Sequence, residues 1–530
     1  MARIVKSKMG SGIVARRLAR IAPLASLLAV AACGSVVGIE DLNSGPRPGA
    51  GGSAGNGGDI SSAGDTVGPN GGNSPNGGSA GNGQAGSIVV GEGGEAGIGA
   101  GPSSGGSGGA TGGTPVSGHV IDFWGHKLSG VPVEIGGTKV VTDEAGAFTI
   151  PNVAAQYDAS LVVQFPDNYD GQIYGWVYQG LTRRDPTLQV YHGLQAQTGE
   201  VDITTTHTAQ TLTGTRTMSI AFGGPDGNWE VTGASGGGYD GLDVGWNGPV
   251  TTQDNAYGLI WQPDANDLPT GYYAYDTQLV ALNGASSTHS PLTLDMTTKM
   301  IASGNISGTV TPGGGQTRNN SVFLQFTSNA VITLLSDSSG NTSFAYLVPT
   351  IANSSVIFCA AEGNGVDASF GPYALVHRDG LAAGNAGIMA APGKPASLLA
   401  VTPAADKTKV SSTTQFSYQP GTGSSGLVVV KFINADTQLL KVDGLFVVTT
   451  KQQFTLPKVA NDSFALIGGD SYVWRVETHG ALANADAAAE PTGFLDEFSE
   501  DFYKTTPGGP RRSNGSYTIS DYSDAITIAP

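Results

Sequence analysis

Hydrophobic residues along most of this chain occur in short runs that alternate with turn-forming residues. From Val116 onward, β-branched and aromatic runs are separated by Gly, Asn, Asp and Pro. This spacing is typical of antiparallel β-sandwiches. Only the Ala-rich stretch Ala481–Ala489 has weak helical character. The clearest predicted strands are Ser160–Phe165, Leu188–Tyr191, Thr217–Phe222, Val322–Phe326, Ala330–Leu335, Leu427–Ile433 and Tyr472–Glu477.

The first 32 residues have the pattern of a signal peptide. Residues 1–20 are basic, and the apolar run 21–32 that follows is too short to span a bilayer. The run ends in Val30-Ala31-Ala32-Cys33, which resembles a bacterial lipobox. The resemblance implies cleavage before Cys33, a diacylglyceryl group on its sulfur, and firm attachment to a membrane. An ordinary signal peptide with an incidental Cys is the alternative.

Residues 33–115 are predicted to form a disordered tether. The stretch 44–115 contains 28 Gly residues, and no aromatic residue occurs between Gly34 and Asp122. Such a segment cannot bury enough apolar surface to offset its ordering entropy. Its expected role is to hold the folded part away from the membrane.

The first folded domain is predicted at 116–195. Val116, Gly118 and Val120 alternate as in a half-buried strand, and Val131, Val133 and Ile135 do so again. Together with the turn Asp143–Gly146 and the stretch Phe148–Val153, this pattern resembles the carboxypeptidase regulatory-like family. That family has a transthyretin-like β-sandwich, so the resemblance implies a fold and very little about activity.

Three further β-domains are predicted, at 196–300, 301–395 and 396–530. The stretch Ile306–Pro312 opens the second of these. The last domain is similar to a fibronectin type III or immunoglobulin-like sandwich. That similarity rests on Thr414–Tyr418, Leu427–Phe432, Phe454–Pro457 and Tyr472–Val476. The predicted fold class is therefore all-β, with several antiparallel β-sandwich domains after a disordered Gly-rich linker.

The sequence contains no recognisable catalytic constellation. None of the seven His residues is followed by Glu three positions later, so the zinc motif of carboxypeptidases is absent. Gly233–Gly237 matches the nucleophile-elbow pattern, but its surroundings are β-like. The predictions are therefore no enzyme, no catalytic residue, no metal site and no cofactor, with Ca²⁺ as a weak alternative. Cys359 lies in an apolar run and is predicted to be a buried core residue.

The best binding-site candidate is a region rich in aromatic and acidic residues. Exposed aromatic rings stack on sugars, and carboxylates accept sugar hydroxyls or coordinate Ca²⁺. The alternative interpretation is an ordinary core of inward-facing rings with acidic turns outside. The candidate residues are Trp229, Trp246, Trp261, Asp240 and Asp243.

Charge restricts the class of partner. The formal net charge is −17, and loss of the basic first 32 residues leaves −23, which argues against nucleic-acid binding because the phosphate backbone would be repelled. The expected function is that of a non-catalytic lipoprotein, anchored at the outer membrane or cell surface, which presents β-sandwiches to a surface protein or envelope component. The alternative is a lipoprotein that binds extracellular or cell-wall polysaccharide.

Overall fold

All seven predicted strand segments coincide with strands of the computed structural model, and the all-β fold class is confirmed. The Ala-rich stretch contains the short helix α1 (Ala485–Ala488), as predicted. The predicted signal peptide, Cys33 and almost all of the tether lie outside the described residues. The structure describes residues 113–122, 125–164, 173–190, 197–207, 216–224, 227–234, 239–246, 250–284, 290–297, 300–315, 317–326, 330–363, 372–399, 401, 409–423, 426–434, 444–457, 459, 471–494, 515–521 and 523–528. Side chains are left undescribed at 164, 197–207, 224, 227–234, 239–245, 290–292 and 409.

The first sandwich begins at Thr114, two residues before the predicted boundary. One sheet contains β1 (Thr114–Asp122), β4 (Ala147–Val153) and β7 (Thr187–Val190), in the order β4-β1-β7. The facing strands are β2 (Pro132–Ile135), β3 (Thr138–Val141), β5 (Tyr157–Gln164) and β6 (Ile173–Leu181), in the order β6-β5-β2-β3.

Strict alternation along β5 decides which residues enter this core. Ala159, Leu161 and Val163 are buried between the two sheets, while Asp158 and Ser160 take the opposite face. On β1, a Cβ at Gly118 would lie 2.3 Å from the carbonyl oxygen of Pro186. A glycine at this position therefore allows the segment before β7 to pack closely on β1.

The second β-region consists of two sheets. One contains β8 (Gln197–His207), β11 (Tyr239–Trp246) and β14 (Ser290–Met296), in the order β11-β8-β14. The other contains β9 (Thr217–Gly224), β10 (Gly227–Ala234), β12 (Thr251–Pro263) and β13 (Pro269–Asn283), in the order β10-β9-β12-β13.

The third region is again a sandwich. Its smaller sheet contains β15 (Ser303–Val310), β18 (Ser343–Pro349) and β21 (Ile388–Ala390), in the order β18-β15-β21. Its larger sheet contains β16 (Thr317–Phe326), β17 (Val331–Asp337), β19 (Ser354–Gly363) and β20 (Tyr373–Leu381), in the order β17-β16-β19-β20.

The C-terminal region supplies the remaining described strands. The small sheet β22-β24-β27 consists of β22 (Ser397–Leu398), β24 (Gln415–Gln419) and β27 (Gln453–Thr455). It covers β25 (Leu427–Asn434), β26 (Gly444–Thr449) and β28 (Ser471–His479). Three short strands complete the region: β23 (Lys409–Val410), β29 (Ser516–Ile519) and β30 (Ile526–Ile528).

Fourteen of the described strands belong to one continuous sheet that crosses the predicted domain boundaries. β29 pairs with both β20 and β28, so the C-terminal strands extend the larger sheet of the third sandwich. At the other end, β26 pairs in parallel with β6 of the first sandwich. The predicted segments 116–195, 301–395 and 396–530 therefore share one hydrogen-bonded sheet.

The joint between β6 and β26 is also packed on both of its faces. On one face, Trp176 and Phe446 stack with ring centroids 4.5 Å apart. On the other, Val177 of β6 belongs to the same apolar cluster as Val447 of β26 and Phe454 of β27.

Among the described residues, no helix has the length and apolar character needed to cross a bilayer.

Loss of the Phe446 ring is expected to weaken this joint strongly. Phe446→Ala should lower the free energy of unfolding by about 3–5 kcal/mol, because it removes a buried ring from a packed interface. Urea unfolding followed by far-UV circular dichroism measures the change. The control is Leu279→Ala at a side chain that is 61% exposed, where a change within about 0.5 kcal/mol is expected. Similar unfolding free energies for the two variants would contradict the claim that the Phe446 ring stabilises the joint.

Candidate functional site

The two tryptophan rings of the predicted aromatic site that the structure describes, Trp246 and Trp261, lie in the protein interior. β12 is buried on both faces: Tyr257, Leu259 and Trp261 pack toward the third sandwich, and Ala256 and Ile260 pack toward the sheet β11-β8-β14. Trp261 is only 5% exposed. A ring in this position offers no face to a sugar, so the site prediction is wrong for Trp261.

The aromatic residues of this region instead join the second and third regions. Tyr257 stacks on Phe326 of β16 with ring centroids 3.9 Å apart. The hydroxyl of Tyr272 donates a hydrogen bond of 2.8 Å to the carbonyl oxygen of Leu347. These rings therefore form an internal interface between sandwiches.

Trp246 is also a core residue. It is fully buried in a cluster with Met218, Phe222 and Met296, so the prediction of an exposed ring is wrong here too. Trp229, Asp240 and Asp243 have backbones in β10 and β11, and their side chains lie outside the described part of the structure. Their proposed role in ligand binding stays a prediction.

The fused sheet creates a cleft that the sequence did not predict. The small sheet β22-β24-β27 covers β25, β26 and parts of β5 and β6, and a cleft lies between β24, β27 and the strands β2, β5 and β6 of the first sandwich. This cleft has a volume of about 600 Å³. Its floor is formed by outward-facing residues of the first sandwich: Glu134, Asp158, Ser160, Val177 and Gln179.

Cross-strand register places these floor residues side by side. Glu134 of β2 pairs with Ser160 of β5, and Ser160 pairs with Val177 of β6. Directly paired residues project from the same face of a sheet. Gln179 lies two residues beyond Val177, and the Asp158 carboxylate accepts a 2.8 Å hydrogen bond from the backbone N–H of Gly180. Glu134, Ser160 and Val177 therefore lie in regular register, whereas Asp158 and Gln179 lie where the pairing of β5 with β6 shifts register.

The wall of the cleft comes from β24, β27 and the residues that flank them. Gln415, Lys451, Gln453 and Thr455 contribute polar groups. The amide Nε2 of Gln415 donates to Oε1 of Gln453 across a distance of 3.3 Å. Leu456 and Pro457 provide an apolar edge to the cleft.

A second notable cluster is a set of buried charges on β25 and β28. Lys431 Nζ lies 2.5 Å and Arg475 Nη2 lies 2.9 Å from the same oxygen, Oε1 of Glu477. All three side chains are buried. Burial alone raises the carboxyl pKa of Glu477, but the two cations outweigh it and hold the pKa below its usual value.

His479 adjoins this cluster and remains uncharged near neutral pH. Burial lowers the pKa of its imidazole to about 4, and the nearby Glu477 only partly opposes the shift. The ring packs edge-to-face against Phe494 and Tyr517. The cluster therefore lies where β29 joins the fused sheet, and its expected role is structural.

His377 has a structural role of the same kind. Its Nδ1 lies 2.9 Å from Asp379, and its Nε2 accepts a 3.1 Å hydrogen bond from the backbone N–H of Gly515. Cys359, its cross-strand neighbour, is fully buried, which confirms the prediction for that residue. Among the described residues, no group of three or more His, Cys, Asp or Glu side chains is arranged to hold a metal ion.

Comparison with known proteins gives little further information. The chain matches no protein-family model and no curated protein sequence. The Bacillus anthracis TIE protein shares 11% identity over 53% of this chain and 50% of its own, with a TM-score of 0.14, so the chain spans about half of that structure.

Two further solved structures are similar at the same level. A tetra-tandem repeat from the extending region of a large adhesion protein shares 11% identity over 70% of this chain and 96% of its own, with a TM-score of 0.12. The pilus adhesin SpaC from Lactobacillus rhamnosus GG shares 11% identity over 66% of this chain and 43% of its own, with a TM-score of 0.11. TM-scores of this size mean that the overall arrangements of the chains differ.

Removal of the Glu477 charge is expected to destabilise the protein. Glu477→Gln leaves two buried cations without their shared carboxylate, which should cost about 3–5 kcal/mol of unfolding free energy. Chemical denaturation at pH 7 measures the loss. Glu144→Gln changes an exposed carboxylate and serves as the matched control, since it should have little effect. Equal midpoints for the two variants would show that the cluster carries no such energy.

Acidification is expected to destabilise the fold through His479. Its pKa is about 4 in the folded chain and near 6.5 when unfolded, so the unfolded state binds more protons between these values. The contribution of neutral His479 to the free energy of unfolding is fully present above pH 6.5. It falls, by on the order of 3 kcal/mol, as the pH drops to 4. Denaturation midpoints of the wild type and of His479→Gln across this range test the effect. The variant should lose less stability, and parallel pH profiles would contradict the assignment.

Proposed function

We propose that this chain is a non-catalytic cell-surface lipoprotein that presents a rigid β-sandwich body for adhesion or envelope interaction. Cys33 carries the lipid, residues 44–115 give reach, and the β-sandwiches contact the partner. The observation that carries the proposal is the fourteen-stranded fused sheet. Because hydrogen bonds join three sandwiches into one body, force applied at a surface contact is carried through paired strands and not through linkers between domains.

Two features of the sequence support the surface location. The apolar run ending in Val30-Ala31-Ala32-Cys33 has the form of an export and lipidation signal. The net charge of −23 after cleavage before Cys33 limits nonspecific contact with other anionic surfaces. An outer-membrane or cell-surface position, with a surface protein as partner, is part of this proposal.

A polysaccharide partner is the second candidate. It can no longer rest on Trp246 and Trp261, because both rings are buried. The observation that favours it is the polar cleft between the first sandwich and the strands β24 and β27.

Substitution of the proposed lipid attachment site provides the direct test. Cys33→Ser should move the protein from the membrane fraction to the soluble fraction of the producing bacterium, because the thioether can no longer form. Incorporation of labelled palmitate, followed by fractionation, measures both effects.

The matched control is Cys359→Ala, since Cys359 is the other cysteine in the sequence and is fully buried. This variant should keep both the label and the membrane fraction. A Cys33→Ser protein that still sediments with membranes would refute the anchor.

A further inference from the structure

From the cleft beneath β27 we infer a binding site for an uncharged saccharide chain. The inference rests on the proposed adhesion role, because it supplies the contact that such a protein needs. The cleft volume of about 600 Å³ lies within the range of small-molecule and oligosaccharide sites. The floor and wall come from segments almost 300 residues apart, so the site exists only in the fused body.

The charges around the cleft argue against an anionic ligand. Asp158 on the floor faces Lys451 on the wall, and Glu134 pairs with Lys139 at 3.8 Å, so the charges around the cleft balance. The chain as a whole carries a net charge of −17. Phosphorylated or uronic-acid polymers therefore find no excess of positive charge in the cleft, and the net negative charge of the chain repels them at long range.

The hydrogen-bonding groups favour a ligand with many hydroxyls. Gln179 is half-buried and lines the cleft, and its amide group carries both donors and an acceptor. Ser160 and Thr455 add hydroxyl groups, and the paired amides of Gln415 and Gln453 add both donors and acceptors.

An apolar edge completes the match to a sugar ring. Leu456 and Pro457 border the cleft beside these amides. Pyranose rings have C–H faces as well as hydroxyl edges, so a mixed lining of this kind suits them better than a fully charged or fully apolar ligand.

An extended peptide is the competing occupant. No described strand pairs with the second edge of β27, so a peptide strand could be added there. β27 has only three residues, which gives few backbone hydrogen bonds, and such pairing makes no use of Gln179. The side-chain lining therefore favours the saccharide.

The test uses the full chain purified in a mild detergent. The probes are hexasaccharides of glucose, xylose, mannose and N-acetylglucosamine on an array, with uronic-acid hexasaccharides and an extended neutral peptide beside them. Titration calorimetry then gives the dissociation constant for each neutral probe that binds. The wild type is expected to bind at least one neutral hexasaccharide and neither of the other classes.

Three variants locate the site. Gln179→Leu should weaken binding about tenfold, which corresponds to the loss of one well-formed hydrogen bond. Glu134→Gln tests the same floor from another strand and should also weaken binding. Gln325→Leu, a half-buried glutamine on β16 away from the cleft, is the matched control and should bind like the wild type. Unfolding midpoints confirm that each variant is folded. If Gln179→Leu does not fold, the result for Glu134→Gln decides the test.

The inference is overturned if no neutral hexasaccharide binds, if the uronic-acid probes or the peptide bind in its place, or if both cleft variants bind like the wild type. None of these outcomes depends on membrane attachment. If the protein binds sugar but its Cys33→Ser variant stays in the membrane fraction, only the lipid anchor is refuted. If the protein is anchored but binds no probe, only the saccharide site is refuted.

Discussion

The parallel pairing of β6 with β26 is the contact on which the architecture of this protein depends. β6 alone would be an edge of the first sandwich, with exposed backbone groups along its length. Pairing satisfies those groups and stacks Trp176 on Phe446. The same contact extends the sheet of the C-terminal region into the first sandwich, while β29 extends it into the third. These two joints place the first sandwich, the third sandwich and the C-terminal region in one hydrogen-bonded sheet.

The cleft and the buried charges both follow from this fusion. The small sheet β22-β24-β27 has three strands, and the fused sheet beneath it has fourteen. The cleft lies where β24 and β27 end above β2, β5 and β6. On the opposite face, Lys431, Arg475 and Glu477 are buried close to the pairing of β28 with β29. Loss of one partner would leave an uncompensated buried charge, so the cluster is costly to break once it has formed.

The aromatic and acidic region illustrates how burial reassigns residues that resemble a ligand site. On β12, alternate residues face two different cores, so both Tyr257 and Ile260 are buried although they point in opposite directions. Aromatic rings serve an internal interface as well as they serve a sugar, because both uses depend on covering apolar area and on stacking. The composition of the segment is the same in either case.

The sequence by itself determined the strand positions, the all-β class and the burial of Cys359, because alternation and turn residues act over a few neighbouring positions. Only the tertiary structure decided that β27 would lie above the outward face of β5, that Trp246 and Trp261 would be buried, and that Lys431 would meet Glu477. The physical reason is that these outcomes depend on strand edges meeting across hundreds of residues, and local hydrophobic patterning carries no information about which edges will pair.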